Sequence, residues 1–321
     1  MKRFAKITAF LLLCFNLLTF NASAKELVAV GQAVGLELRD GTVTVAAFDE
    51  KLGAAARDSG LEAGDIIVSI DGRSIRSAED VRAALTTSKG TVAICARRDG
   101  EEFTCKITPE ITFDGPKLGL YLRQGVTGVG TVTWYDPQTG AFGTLGHGVN
   151  NSSGQLLKLV EGSAYETDIA AVRKGTAGTP GQLMGCTGSR KPIGTLTANT
   201  AKGVFGTTQI PWDGEVLETA AWNEIRTGEA TILSTISGNL VQEYSVDILK
   251  IYPKSKQAGR NLLIKITDPA LLEATGGIVQ GMSGSPIIQD GKLVGAVTHV
   301  LVNDPTTGYG IFIENMLDAA S

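Results

Sequence analysis

The sequence has few of the residues that bind metals or form disulfide bonds. Its 321 residues include 2 histidines and 4 cysteines. Cys95, Cys105 and Cys186 lack metal-ligand spacing, and Cys14 lies in the N-terminal segment. We therefore expect neither a metal site nor a cofactor. A disulfide bond between Cys95 and Cys105 depends on the register of the hairpin that they flank, which the sequence leaves open.

Basic clusters and aromatic side chains are also scarce. The formal net charge is -4 and no block of lysine or arginine occurs, so a nucleic-acid-binding protein is not expected. The 40 glycines, against 6% aromatic residues, indicate many tight turns and short strands rather than long helices. With 43% hydrophobic and 19% charged residues the composition is that of a folded protein, and the length suggests two domains.

Long hydrophobic runs are absent after residue 24. Before it, Lys2 and Arg3 precede an apolar run at 7–20, and small residues at 22–24 follow the run. This pattern predicts a signal peptide at 1–24 and export across the cytoplasmic membrane. An uncleaved membrane anchor is the alternative, although the run is shorter than the ~20 residues that span a bilayer.

The segment at 60–85 has the features of a small module with strands and a helix. It reads GLEAGDIIVSIDGRSIRSAEDVRAAL, in which a β-rich run at 66–70 precedes an Asp-Gly turn and Ser77 caps a helix with Asp80 three residues on. The order of Gly-Asp, strand and Asp-Gly closely resembles the pattern of PDZ domains. We therefore expect a PDZ domain at 25–108.

A PDZ domain implies a peptide partner. In such domains an extended peptide adds as a strand between an edge strand and a helix, and a backbone loop receives its terminal carboxylate. The matching loop would be Val34, Gly35 and Leu36, with the helix at 78–85 on the other side. A groove that is empty, or that holds a segment of the same chain, is the alternative.

A second, larger domain is expected at 118–321, after a linker at 109–117 in which prolines and an Asp-Gly turn interrupt the pattern. It contains a clear hairpin at 129–145. Further short strand candidates lie at 230–236, 242–252, 261–267, 286–289, 293–302 and 309–313. Short strands separated by turns favour a sandwich or a barrel, so the fold class is predicted to be mainly β.

The most informative motif of this domain is the turn at 280–287, which reads QGMSGSPI. A serine nucleophile needs a base that accepts its proton and N–H donors that stabilise the oxyanion. The stretch fits the Gly-x-Ser-Gly-x-Pro turn of chymotrypsin-like peptidases, which identifies Ser283 as the nucleophile and the N–H groups of Gly281 and Ser283 as the oxyanion hole. An α/β-hydrolase elbow is not expected, because it would need glycine in place of Ser285.

Either histidine could serve as the base. His147 lies in GTLGHGV at the end of the predicted hairpin and precedes the serine, which is the chain order of chymotrypsin-like enzymes. His299 follows the serine in LVGAVTHV, where such enzymes align the substrate backbone. We therefore expect His147 to be the base, and Thr298 and His299 to line the substrate-binding site. The alternative is that His299 is the base.

The third residue of a catalytic triad should be an aspartate between the base and the serine. Asp168, Asp213, Asp247 and Asp268 all lie in that interval. Asp268 follows a β-rich run, where a strand-end carboxylate can reach a cleft between two barrels. Its alternative role is to cap a helix that begins at Pro269. Spacing alone does not choose among the four aspartates.

The PDZ pattern, GTLGHGV and the terminal block GMSGSPIIQDGKLVGAVTHVLVNDPTTGYGIFIENML together resemble the sporulation stage IV B peptidase family of endospore-forming bacteria. The resemblance covers nearly all of the chain after the export segment and implies a chymotrypsin-like double β-barrel after the PDZ domain. Matched motif by motif, the family's catalytic serine falls on Ser283 and its histidine on His147. The family's aspartate lies fifteen residues before the serine, which is Asp268 here.

The resemblance also implies a function. Members of the family are exported serine endopeptidases that cleave a membrane-bound regulator, after which a late sigma factor is processed. They also cleave themselves near the N-terminus under the control of the PDZ domain. We expect the same of this chain, in the space between the forespore and mother-cell membranes. A PDZ adaptor with a catalytically silent β-barrel is the alternative from another functional class.

Overall fold

The computed structural model describes residues 25–186, 191–253 and 259–321. The predicted signal peptide or membrane anchor at 1–24 lies outside the described residues. In the part of the chain that is described, none of the helices combines the length and the apolar character needed to cross a bilayer.

Strands dominate the described chain. The elements up to the first long hairpin are β1 (Glu26–Ala29), β2 (Ala33–Phe48), α1 (Ala54–Asp58), β3 (Ile66–Ile70), β4 (Arg73–Ser74), α2 (Ala78–Thr87), β5 (Val92–Arg98), β6 (Glu101–Ile107), β7 (Glu110–Thr112), β8 (Gly115–Lys117) and β9 (Leu120–Tyr135). The elements that follow are β10 (Ala141–Thr144), β11 (Glu161–Glu166), β12 (Asp168–Arg173), β13 (Gln182–Cys186), β14 (Gly194–Thr200), β15 (Gly203–Thr207), β16 (Glu215–Thr219), β17 (Gly228–Thr235), β18 (Val241–Ile251), β19 (Leu262–Ile266), α3 (Pro269–Thr275), β20 (Pro286–Gln289), β21 (Lys292–Leu301), β22 (Asp304–Phe312) and α4 (Ile313–Ala320). The predicted hairpin is the end of β9 with β10, and the later strand candidates correspond to β17 through β22.

The first barrel closes through a ring of antiparallel strands. β2 pairs with β9, β9 with β10, β10 with β15, β15 with β14, β14 with β11, and β11 again with β2. Apolar side chains such as Leu38, Val132 and Phe142 fill its interior. Because the ring is closed, each of its strands has a partner on both sides and the barrel has no free edge.

The second barrel is a similar ring. β17 pairs with β18, β18 with β19, β19 with β22, β22 with β21, β21 with β20, and β20 with β17. Ile232, Ile264 and Ile287 lie fully buried in its core. The two rings confirm the prediction of a mainly β fold with a double β-barrel.

The two barrels are joined along one side. β1 pairs with β9 of the first barrel and with β16, and β16 runs parallel to β21 of the second barrel. Trp134, Leu293 and Met316 belong to a separate apolar cluster that combines residues of both barrels with residues of α4. This packing leaves a cleft between the barrels. The glycine-rich turn at 145–148 and the turn at 280–284 both line it.

The PDZ module is inserted between two strands of the first barrel. The last part of β2 and the first part of β9 extend beyond the barrel and pair with each other, with Val45 opposite Leu122. β3, β5 and β6 extend this sheet, and α2 packs against it through Val81, Ala84 and Leu85. The predicted capping box of α2 is present, because Ser77 and Asp80 bond reciprocally.

These pairings differ from the domain boundaries expected from the sequence. Residues 26–38 were expected in the PDZ domain, but β1 joins the two barrels and residues 33–38 of β2 belong to the first barrel. The module with its own core spans 43–122. The expected linker at 109–117 contains the hairpin of β7 and β8. An alternating apolar pattern identifies a strand but not its partner, and the partner of Ala33 is Thr131, on the other side of the inserted module.

The register of β5 and β6 also decides whether Cys95 and Cys105 can form a disulfide bond. Cys95 lies opposite Thr104, and Cys105 lies opposite Ile94. Successive side chains of a strand point to opposite faces, so the two thiols face different sides of the sheet. Cys105 is buried in the module core, whereas the thiol of Cys95 contacts Glu102. The three described cysteines are free.

Candidate active site

The turn at 281–286 has a backbone shape that only glycine allows at two positions. Gly281 has a φ of 102° and Gly284 a φ of 98°. A Cβ atom on Gly284 would lie 2.0 Å from the carbonyl oxygen of Thr131, in the neighbouring strand β9. The turn is closed by the N–H of Ser285, which donates to the carbonyl oxygen of Met282 at 3.0 Å. The glycines therefore let the turn press against the first barrel.

The two serines of this turn have different environments. Ser285 is fully buried, and its hydroxyl donates to the hydroxyl of Ser234 at 3.1 Å. Ser283 is partly exposed and lines a cleft between the barrels. Its hydroxyl donates to the carbonyl oxygen of Thr298 at 2.9 Å. Only Ser283 is therefore in a position to meet a substrate.

The predicted oxyanion donors are unused. Within the described residues, no oxygen accepts a hydrogen bond from the N–H of Gly281 or of Ser283. The peptide group that carries the first N–H is held by Leu183, whose N–H donates to the carbonyl oxygen of Gln280 at 2.8 Å. The peptide group that carries the N–H of Ser283 is held by Ser285, whose N–H donates to the carbonyl oxygen of Met282. Two fixed and unpaired donors in one turn are the arrangement that stabilises an oxyanion.

His147 follows a strained turn at the end of β10. Leu145 and Gly146 both have positive φ, at 68° and 67°. A Cβ atom on Gly146 would lie 2.8 Å from Cγ2 of Thr298, so this turn packs tightly against β21. The sequence thus brings His147 to the second barrel by means of a glycine that permits close approach.

The imidazole of His147 is oriented by a backbone carbonyl. Its Nδ1 lies 2.9 Å from the carbonyl oxygen of Gly148. Because a carbonyl oxygen only accepts, Nδ1 carries the proton and Nε2 is left with its lone pair. Burial lowers the pKa of His147, and the hydrogen bond to Gly148 opposes this effect. The ring is therefore neutral near pH 7 and able to accept a proton at Nε2.

Thr298 and His299 contribute to the site in different ways. The Thr298 side chain is buried and donates to the carbonyl oxygens of Gly259 and Tyr309, so only its backbone reaches Ser283. The ring of His299 lies 5.1 Å from the ring of His147, measured between centroids. Burial, together with the charges of His147 and Arg260, lowers the pKa of His299 to about 4. His299 is thus a neutral neighbour of His147 near pH 7.

The cleft that joins these groups is apolar. His147, Gly281 and Ser283 line a cavity of about 210 Å³. The remaining wall is formed mainly by aliphatic side chains of the first barrel, among them Leu36 and Val129. An apolar lining with a few polar groups is the composition of ligand-binding clefts in general. The predicted nucleophile, base and oxyanion donor are therefore brought together.

Asp268 is not bonded to this group. Its carboxylate accepts from the N–H of Leu271 at 2.9 Å and from the N–H of Ser245 at 3.4 Å, and the first of these bonds caps α3. In the described part of the chain, no hydrogen bond or ion pair joins His147 to Asp268 or to any other carboxylate. The capping role that the sequence offered for Asp268 is present, and its catalytic role stays a prediction.

The predicted position of the PDZ peptide groove is wrong. Val34, Gly35 and Leu36 lie in β2 of the first barrel, where β9 pairs with them on one side and β11 on the other. Both backbone edges are used, so no peptide strand can add there. The error follows from the domain boundary, since residues 26–38 do not belong to the PDZ module.

A groove of the expected kind lies elsewhere in the module. A cleft of about 430 Å³ separates α2 from residues 118–122, with Val81 and Leu85 on the helix side. Gly119 has a φ of 65°, and a Cβ atom there would lie 2.2 Å from the backbone of Leu52. The sequence pattern that could have located the strand side is the run KLGLYL at 117–122, in which a glycine lies between apolar residues after a lysine. The helix side of the groove was predicted, but the strand side was missed.

Comparisons with known families identify both modules. Residues 114–317 match the model of the SpoIVB peptidase S55 family, and residues 50–94 match a PDZ domain model. These matches confirm the family expected from the sequence and the presence of a PDZ domain. No curated protein matched the chain.

Solved structures are also similar to parts of the chain. PDZ domains of SdrC-like proteins from Listeria monocytogenes and Listeria innocua are each 27% identical; they cover 25% and 26% of this chain and 85% and 97% of their own, with TM-scores of 0.22 and 0.23. The Rv3671c protease from M. tuberculosis in its active form is 15% identical, and the match covers 61% of this chain and 73% of that chain with a TM-score of 0.35.

Proposed function

Since the chain belongs to the SpoIVB peptidase S55 family and carries a PDZ domain, we propose that it is a PDZ-regulated serine endopeptidase in which Ser283 is the nucleophile and His147 the base. The observation that carries the proposal is one cleft lined by His147, Ser283 and Gly281, with a neutral imidazole and two N–H donors that have no acceptor among the described residues. These are the groups that acyl transfer to a serine requires.

The reaction proceeds through an acyl-enzyme. Oγ of Ser283 turns away from the Thr298 carbonyl and attacks the scissile carbonyl carbon, while its proton passes to Nε2 of His147. The oxyanion of the tetrahedral intermediate accepts hydrogen bonds from the N–H groups of Gly281 and Ser283. The carbon–nitrogen bond breaks as His147 gives the proton to the leaving amine. Water then hydrolyses the ester by the same route, with His147 as base.

Asp268 is proposed as the acid of the triad on the resemblance of its spacing to that of the family. In this role its carboxylate would hold Nδ1 of His147 and stabilise the imidazolium. At rest that nitrogen donates to the carbonyl oxygen of Gly148 and Asp268 caps α3. The proposed role therefore requires that the site rearrange before chemistry.

The finer functional assignment also follows the resemblance. The substrate would be a membrane-associated regulatory protein whose cleavage leads to sigma-factor processing during sporulation, and the enzyme would cleave its own N-terminal part. It would act after export, between the forespore and mother-cell membranes. The cleft between α2 and residues 118–122 would bind the C-terminal end of a peptide and select the target.

A fluorophosphonate probe tests the central claim. We expect it to label the wild-type protein and not Ser283→Ala. The control is Ser234→Ala, which removes a buried hydroxyl that does not line the cleft and should still be labelled. Labelling that persists in Ser283→Ala would contradict the assignment of the nucleophile. No labelling of a folded wild-type protein that binds peptides would favour the silent adaptor.

A further inference from the structure

One residue of the first barrel bonds to both catalytic segments. Thr131, in β9, is fully buried, and its backbone and side chain make hydrogen bonds to the turn of Ser283 and to the hairpin of His147. We propose that Thr131 is a positioning residue that holds the oxyanion donors in register with the base. The inference rests on the proposed function, since it names a further residue for that reaction.

Thr131 grips the oxyanion turn at both donor residues. Its N–H donates to the carbonyl oxygen of Ser283 at 2.9 Å, and its Oγ1 donates to the carbonyl oxygen of Gly281 at 2.8 Å. These carbonyls belong to the peptide groups that directly follow the two donor residues, so Thr131 fixes Gly281 and Ser283 on the side away from their N–H groups. Rotation of either of these following peptide groups would break a bond to Thr131, and a buried carbonyl without a partner is costly.

The carbonyl group of Thr131 connects to the base. Its oxygen accepts from Oγ1 of Thr144 at 2.6 Å and from the N–H of Leu145 at 3.4 Å. These residues directly precede Gly146 and His147 in the same turn. Thr131 therefore links the turn of Ser283 in the second barrel to the turn of His147 in the first barrel. These bonds fix the separation between the nucleophile and the base.

The hydroxyl group, and not only the shape, of Thr131 makes this contact. Thr131 and Thr133 lie on the same face of β9, and the hydroxyl of Thr133 donates to the carbonyl oxygen of Gly284 at 2.7 Å. The polar positions of the alternating stretch GTVTW thus face the turn and not solvent. Valine has nearly the same shape as threonine but no donor, so it removes the bond to Gly281 and preserves packing.

The expected effect is on the chemical step. A looser turn misplaces the oxyanion donors but leaves the apolar cleft intact, so substrate binding should change little. Misplacement by about 1 Å can cost roughly 100-fold in rate, and loss of one oxyanion donor costs roughly 100- to 1,000-fold. For Thr131→Val we expect kcat to fall about 10- to 100-fold, with KM within about twofold of wild type.

The experiment compares full-length Thr131→Val, Thr131→Ser and Thr235→Val in hydrolysis of a peptide ester. Thr235 is the control, because it is also fully buried and donates its hydroxyl to a backbone carbonyl, that of Gly31, but does not line the cleft. Its hydroxyl also accepts from the N–H of Ala33, so its substitution removes at least as many bonds. We expect serine to restore kcat to within about threefold of wild type and Thr235→Val to leave it unchanged. The affinity for a peptide boronate, which forms a tetrahedral adduct, should fall in parallel with kcat.

Several results would overturn the inference. Equal kcat in Thr131→Val and Thr235→Val, a loss confined to KM, or a serine variant as slow as the valine variant would each exclude a role for the hydroxyl. If Thr131→Val does not fold by circular dichroism, the pair Thr131→Ser and Thr131→Ala carries the same comparison. Absence of any Ser283-dependent hydrolysis by wild type would overturn the proposed function, and this inference with it.

Discussion

Ser283 donates its hydroxyl hydrogen to the carbonyl oxygen of Thr298, at 2.9 Å, and not to His147. His147 is likewise bonded to a backbone carbonyl, that of Gly148. The proposed nucleophile and the proposed base therefore line one cleft at rest, while each is bonded to a different backbone carbonyl. We expect a substrate amide aligned along β21 to compete for the Thr298 carbonyl, which would free the hydroxyl for proton transfer.

The two roles of Asp268 are separated by substitution with asparagine. Asparagine caps a helix about as well as aspartate, so Asp268→Asn preserves the cap of α3, while it removes the charge and the acceptor of the long bond from the N–H of Ser245. If Asp268 completes the triad, kcat should fall by about 10,000-fold with little change in melting temperature. Asp247→Asn, which removes another aspartate of the same interval, should leave kcat unchanged. Activity of Asp268→Asn within a few-fold of wild type would limit Asp268 to the cap.

The turn of the nucleophile should not tolerate a side chain at Gly284. A Cβ atom there meets the carbonyl oxygen of Thr131, whereas at Gly291, which also has positive φ, nothing lies within 4 Å. We expect Gly291→Ala to cost about 1 kcal/mol from backbone strain alone. Gly284→Ala should cost about 1–3 kcal/mol more, from overpacking. Urea unfolding measures both; equal losses would mean that the turn can move away from β9 at no cost.

The groove of the PDZ module can be blocked from its helix. Ala78 lines the cleft at the start of α2, whereas Ala83 is exposed on the same helix outside it. We expect Ala78→Trp to abolish binding of peptides from a library with free C-terminal carboxylates, and Ala83→Trp to bind like wild type. Fluorescence polarisation gives both affinities. Undiminished binding to Ala78→Trp would show that the peptide uses another surface.

Sequence patterns predicted which residues meet in the cleft better than they predicted the connections between strands. Ser283 and His147 were predicted as neighbours because glycine-rich turns have a local sequence pattern, and the two residues do line one cleft. The pairing of Ala33 with Thr131 was not found, since it joins strands on either side of an inserted module. The misplaced PDZ groove at Val34 followed from this error. The sequence did not predict the contacts of Thr131, because a polar position in an alternating strand is expected to face solvent. Here the Thr131 side chain faces the turn of Ser283.

The stability of the protein should depend on pH through His299. Burial, with the nearby charges of His147 and Arg260, lowers its pKa to about 4 in the folded state, against about 6.5 in the unfolded chain. The unfolded state therefore binds more protons as pH falls from 6.5 to 4, and the free energy of unfolding decreases over that range. His299→Gln should lose less stability between pH 7 and pH 4.5 than wild type in urea titrations. An identical loss would assign the acid sensitivity to other groups.

The pH dependence of catalysis reports the environment of His147. Burial lowers its pKa, and a base must be neutral to accept a proton, so activity should persist as pH falls below the ordinary value for histidine. We expect the acid limb of kcat/KM to have its midpoint below about 6.5 when measured with a peptide ester. A midpoint above that value would mean that a carboxylate contacts the imidazolium in the free enzyme, because an opposite charge raises the pKa of histidine. In that case the midpoint should fall in Asp268→Asn, which would identify Asp268 as the carboxylate; a midpoint that Asp268→Asn does not move would assign it to another group.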